Sequence, residues 1–139
     1  MNEEKEPKVL IKEVFLTDIK PENTTLSVRI TVKNPLPVNA TIKKVDFSIF
    51  RLTEDGHEEF MGEGEESTIK IEKSCENTFE IPVSVKNRSL VYAAANFLTG
   101  DLTVIVRGSL FFDLKIFAPE IKFEERKVLK GLPKRLFED

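Results

Sequence analysis

Between residues 24 and 34 apolar and polar side chains alternate without a break. Leu26, Val28, Ile30 and Val32 are set against Thr25, Ser27, Arg29, Thr31 and Lys33. Side chains of a strand point to opposite faces in turn, so this pattern buries one face and wets the other; a helix would scatter the same residues around its axis. The same period recurs along the chain. Val9, Ile11, Val14 and Leu16 open it, with an irregularity expected near Lys12-Glu13. Val45, Phe47 and Ile49 follow within 42–52, then Phe79, Ile81, Val83 and Val85, then Leu102, Val104 and Val106 running on to Phe112. Ile121 and Phe123 close the set, and Phe60-Met61 and Ile69-Ile71 suggest short edge strands.

The punctuation agrees with strands. Pro21-Glu22-Asn23 separates the first two, and Asn34-Pro35-Leu36-Pro37 ends the second, since two prolines remove two backbone donors. Asp55-Gly56 is a hairpin signal, and Gly62 and Gly64 around Glu63 suggest a bulge or tight bend. Pro82 inside an alternating run is expected on an edge or with its nitrogen facing away from a neighbour. One segment breaks the period. Over 89–98, Leu90, Ala93, Ala94, Phe97 and Leu98 fall on one helical face, which predicts a short α-helix covering an open end. The fold class expected is all-β, a two-sheet antiparallel sandwich with that one helix, and a barrel is the structural rival. The expected organisation is a flexible N-terminus at 1–7, the sandwich domain at 8–125, and a basic and apolar C-terminal tail at 126–139.

Composition narrows the chemistry. With 139 residues, 40% hydrophobic and 32% charged, the chain suits one globular domain and not a disordered segment. A net charge of −3 argues against nucleic acid as a partner. Cys75 is the sole cysteine, so no internal disulfide forms and a reducing compartment is favoured. The acidic start lacks a signal-peptide pattern, and apolar runs fall short of a membrane span, so a cytoplasmic protein without a transmembrane segment is expected. The sequons at Asn23, Asn39 and Asn87 then carry no weight. The absence of Gln and Trp beside abundant Lys and Glu is a thermophile tendency.

The order Val32-Lys33-Asn34-Pro35, Asp46-Phe47-Ser48-Ile49-Phe50, Met61-Gly62-Glu63-Gly64, Phe79-Glu80-Ile81-Pro82-Val83 and Val106-Arg107-Gly108-Ser109-Leu110 resembles the water-stress and hypersensitive-response (WHy) domain family, late embryogenesis abundant group 2. The resemblance spans residues 8–119. It departs after Asn34-Pro35, where many members carry a second Asn and this chain has Leu36. It implies a fibronectin-III-like sandwich, a role in tolerance of drying, and no enzymatic activity. Asn34, Pro35, Gly62, Gly64, Pro82 and Gly108 are its motif residues, and turn and strand chemistry assigns them structural work.

No catalytic residue, cofactor site or metal site is expected. Asp55, Glu58 and Glu59, with His57 among them, form the one acidic set to weigh for a cation. The set lacks the spacing of a calcium loop, and one His is too little for zinc, so a solvated loop is the reading. Lys73 is the nearest cation to Cys75 in sequence, and a passive thiol is expected. The tail from Lys122 to Phe137 interleaves basic and apolar residues and is open to a membrane-surface role. Three functions remain: shielding of partly unfolded client proteins, an adaptor that presents loops or a sheet edge, and attachment to a membrane surface.

Overall fold

The computed structural model describes residues 7–86, 102–114 and 118–129. Seven strands are found among them: β1 (Lys8–Ile19), β2 (Asn23–Asn34), β3 (Ala40–Leu52), β4 (Glu58–Ile71), β5 (Cys75–Lys86), β6 (Leu102–Asp113) and β7 (Glu120–Leu129). They form a three-stranded sheet, β1-β2-β5, and a four-stranded sheet, β4-β3-β6-β7, with every pairing antiparallel. The edges β1 and β7, and likewise β4 and β5, approach each other without a ladder between them, so this is not a closed barrel.

The alternation read from the sequence is what buries the core. Leu26, Val28, Ile30 and Val32 of β2 are fully buried and join Ile42, Val45, Phe47 and Ile49 of β3, Ile81, Val83 and Val85 of β5, and Val104, Val106 and Leu110 of β6 in one cluster shared by both sheets. A slip of one residue would turn each of these side chains to water. Each fully buried Val, Leu or Ile contributes about 1.5–3 kcal/mol, so the register is strongly specified. The irregularity expected near Lys12-Glu13 is present: the β1–β2 register shifts between Ile11 and Glu13.

Other elements differ from expectation. The two short edge strands around Phe60 and Ile69 are one 14-residue strand, β4. Gly62 and Gly64 lie inside it, not at a bend; the bulge falls at Met61, because Gly62 faces Ile49 while Phe60 faces Phe50. The last strand runs to Leu129, past the boundary expected at residue 125, so 126–129 belong to the sheet. Glu125 and Lys127 occupy the same side of β7 as the buried Phe123 and Leu129, and two charges at core-side positions hid the period. Glu125 accepts a 2.6 Å hydrogen bond from the backbone N–H of Ile11, tying β7 to β1 across the gap between the sheets. The helix expected over 89–98 lies outside the described residues, as do residues 1–6 of the expected N-terminus and the expected tail beyond Leu129.

At the middle of β3, Phe47 has glycine as its register partner on both sides: Gly64 in β4 and Gly108 in β6. The Phe47 ring lies where a Cβ on Gly64 would go. A Cβ on Gly108 would fall 2.5 Å from Phe47 Cβ and 2.6 Å from its Cα, and would also press on the Asp46 carbonyl oxygen. Backbone atoms in a sheet centre cannot step aside, so only hydrogen fits at Gly108. Gly108→Ala is expected to cost about 1–3 kcal/mol or more by overpacking, measured as a lowered urea midpoint. An unchanged midpoint would refute the close approach.

Candidate interaction surface

The outward face of the four-stranded sheet is organised in cross-strand rows. One row runs Phe60, Phe50, Ile105, Arg126 from β4 to β7; the next runs Glu63, Ser48, Arg107, Glu124; the third runs Glu65, Asp46, Ser109, Lys122. Phe60 is 56% exposed and meets Phe50 edge-on with ring centroids 6.0 Å apart, and Val128, 49% exposed, lies beyond Arg126 on the same face of β7. Ile105, 2% exposed, forms the floor of this apolar stripe.

Arg107 anchors the stripe. Its guanidinium sits 5.0 Å from the centroid of Phe50, holds both oxygens of Glu58 at 3.0 and 3.1 Å, and contacts Glu124 through Nε. The three-stranded sheet repeats the device on its own outer face. There Arg29 lies 4.9 Å from the Phe15 ring, with Glu13 at 2.8 Å and Glu80 at 2.7 Å, its register partners on either side. Exposed ion pairs contribute little individually. One planar guanidinium shared between two carboxylates and an aromatic ring nevertheless fixes three side chains at once.

Between the second and third rows runs a polar trough of about 430 Å³, walled by Asp46, Ser48, Glu63, Glu65 and Arg107. Lys44 reaches Asp46 at 3.5 Å and Glu65 at 3.8 Å, so its acids have a cation already.

The candidate cation residues Asp55, Glu58 and Glu59 go to three different partners. Asp55 binds Thr53 and, at 3.0 Å, His57 in the β3–β4 turn, Glu58 binds Arg107, and Glu59 binds Arg51. Consecutive strand residues face opposite ways, which separates Glu58 from Glu59. Among the described residues no group of three or more His, Cys, Asp or Glu could hold a metal ion. In the turn, Gly56 adopts a φ of 87°, as the Asp55-Gly56 signal requires. Thr53, Asp55 and His57 lie together, but the carboxylate stands between hydroxyl and imidazole. A general base must itself face the nucleophile's hydroxyl, and here the imidazole faces the acid.

Asn34 is a corner brace. Buried at the end of β2, it donates to the carbonyls of Val38 (3.1 Å) and Glu72 (3.0 Å) and accepts from the N–H of Leu36 (3.1 Å), with Pro35 inside the loop it closes. Cys75 is exposed beside this corner, its Sγ 3.6 Å from the Glu72 carbonyl and 4.0 Å from the Glu72 carboxylate. Pro82 lies in β5, an edge strand, where a missing donor is tolerated. The sequence marked Gly64 and Gly108 separately; the structure brings them together at Phe47. It leaves Asn34 and Pro35 at one end of the fold. The Phe60–Phe50–Arg107 stripe was missed, and its one sequence signal is an apolar Phe at an outward position of an acidic strand.

Two substitutions test these contacts. Asn34→Ala leaves the Val38 carbonyl and the Leu36 N–H without their side-chain partner in a buried corner and removes one of the donors to the Glu72 carbonyl, an expected loss of about 1–3 kcal/mol. Asn34→Asp, which sets oxygen against both carbonyls, should not rescue it; thermal unfolding of both variants checks this. The Arg107 hydrogen bond holds the Glu58 carboxyl below the usual carboxylate range. A depressed acid stabilises the fold above its unfolded pKa, and that contribution disappears as pH falls through the folded value. Arg107→Gln should therefore return the Glu58 titration, followed by carboxyl NMR, to the ordinary range. The wild type's thermal advantage over the variant should be present at neutral pH and shrink in acid.

No family model matches the sequence. The uncharacterized protein MJ1138 of Methanocaldococcus jannaschii is 30% identical over 111 residues, which is 80% of this chain; the chain spans 63% of that relative's length. Among solved structures, AT1g01470 from Arabidopsis thaliana is similar with a TM-score of 0.60 at 20% identity, covering 88% of this chain and 82% of that one. At2g46140.1, described as a late embryogenesis abundant protein, gives a TM-score of 0.60 at 16% identity over 91% of this chain and 73% of that one. A protein from Archaeoglobus fulgidus gives 0.58 at 13% identity over 92% and 97%. At these identities the likeness is one of fold. No helix among the described residues is long and apolar enough to cross a membrane.

Proposed function

We propose that this chain is a non-enzymatic, stress-protective domain of the WHy and late embryogenesis abundant group 2 kind, which shields partly unfolded proteins in a reducing, cytoplasmic setting. The fold likeness to At2g46140.1, described as late embryogenesis abundant, supports the class. The strand order supports a fibronectin-III type of sandwich, since the fourth strand pairs with the third, whereas an immunoglobulin constant domain puts its fourth strand beside the fifth. The observation that carries the shielding reading is the stripe of exposed Phe60 and Val128 with half-buried Phe50 between them, rimmed by charge. Solvated apolar surface with a polar rim is what contacts another protein.

The adaptor reading through a sheet edge has less support, because the edges are blunted. Glu125 occupies the N–H of Ile11 on β1, β5 carries Pro82, β7 places Glu125 and Lys127 on its core side, and β4 carries five Glu between Glu58 and Glu66. The membrane reading rests on residues 122–137, of which the part up to Leu129 is strand β7 of the sheet and the remainder lies outside the described residues.

A labile reporter enzyme dried and rehydrated with this protein should recover activity well above the level given by an equal mass of an inert globular protein of similar charge. The Phe60→Ser/Val128→Ser double variant should fall back toward the inert control. Recovery by the wild type no better than that control would overturn client shielding.

A further inference from the structure

We infer that the stripe-bearing face of the β4-β3-β6-β7 sheet is also the contact surface of a weak, two-fold homodimer, with the dyad running parallel to the strands. The inference rests on the same face being the one open to partners, and it names a second copy as its occupant.

Charge selects the copy and its orientation. The outward positions of β4 carry Glu58, Glu63 and Glu65 around Phe60 with no cation among them, whereas those of β7 alternate Glu120, Lys122, Glu124 and Arg126. A two-fold axis across the strands would lay β4 on β4 and bring six carboxylates together. An axis along the strands reverses the strand order of the facing copy, so that β4 of each lies over β7 of the other. Row by row, Phe60 of one copy then meets Arg126 of the other, and Glu65 of one meets Lys122 of the other. Each contact occurs twice by symmetry.

The like-charge approaches are Glu63 to Glu124, which already has Arg107 at its side, and Glu120, held by Ser109 Oγ at 2.9 Å, to Asp46, which already has Lys44 at 3.5 Å. Ser48 comes over Arg107, a pair without a steric or charge conflict. An exposed Phe over a guanidinium is a favourable cation–π pair, and aligned sheets pack face to face with their strands near parallel.

The size of the face sets the strength. From the Val128 row to the Lys122 row is roughly 20 Å along the strands, and three strand spacings are about 14 Å across. That is small beside a standard stable interface, so the dimer should form only in the micromolar range or above. A dimer of this strength hides the stripe at rest and releases it to a client by competition.

Sedimentation equilibrium over a wide concentration range tests this. The wild-type chain should show a monomer–dimer equilibrium. Glu65→Lys and Lys122→Glu should each weaken it by about tenfold, since each reversal acts twice. The double variant Glu65→Lys/Lys122→Glu should restore it, and Phe60→Ser should weaken it without rescue. All these positions are solvent-exposed, so unchanged circular dichroism confirms the fold. A chain that stays monomeric throughout overturns the dimer, and so does a dimer indifferent to Phe60→Ser and both reversals. A monomer that still protects a dried enzyme leaves the shielding function standing and removes only the dimer.

Discussion

The seating of Phe47 between Gly64 and Gly108 is the constraint on which the larger sheet depends. β3 carries a ladder on each side, and its central residue tolerates no Cβ at either register partner. A shift of β4 or β6 by one residue would bring Glu63 or Glu65, or Arg107 or Ser109, against the Phe47 ring and carry the inward apolar residues to the surface. The same two glycines therefore set which side chains share a row on the outer face. Arg107 meets Phe50 and Glu58, and Phe60 stands beside Phe50, because Phe47 can pack in one register alone.

Much of this was legible in the chain as local pattern. Strict alternation placed β2, β5 and β6, and the break in period at Lys12-Glu13 marked a real register shift. What escaped was decided across strands. Glu125 and Lys127 made β7 look like a polar tail, since a core-side carboxylate has no meaning until Ile11 of β1 supplies the N–H it accepts from. The motif glycines were visible, but their common partner was not, because Phe47 is 17 residues from one and 61 from the other. The acidic set around His57 was equally visible. Pairing with Arg107 and Arg51 disperses it, and neither arginine is adjacent in sequence.

The two arginine clamps show how the outer faces are ordered without a second layer over them. Arg29 and Arg107 each lie across a Phe ring and between two carboxylates, one on each sheet. Solvent screening keeps the energy of each pair small. Their effect is on order: long side chains that would otherwise sample many rotamers are held flat over Phe15 and Phe50, which reduces the apolar area each ring shows to water. Phe60 touches Phe50 at its edge but has no such cover, and it remains more than half exposed.

That asymmetry bears on how the fold recognises anything. Backbone recognition needs an open edge, and here a carboxylate, a proline, core-side charges and a run of Glu guard the edges one by one. Side-chain recognition needs a face with uncovered apolar area, and the four-stranded sheet supplies one, with Phe60 and Val128 at opposite margins, acid alone on the outward side of β4 and acid alternating with base on that of β7. A face of that kind favours partners that present apolar groups among cations and carboxylates in loose order. An unfolding chain fits that description, and so does a second copy turned about the strand axis. Selectivity among such partners follows from charge placement more than from shape, because a flat sheet offers few pockets. Affinity should accordingly fall as salt rises, while the apolar contribution of Phe60 persists.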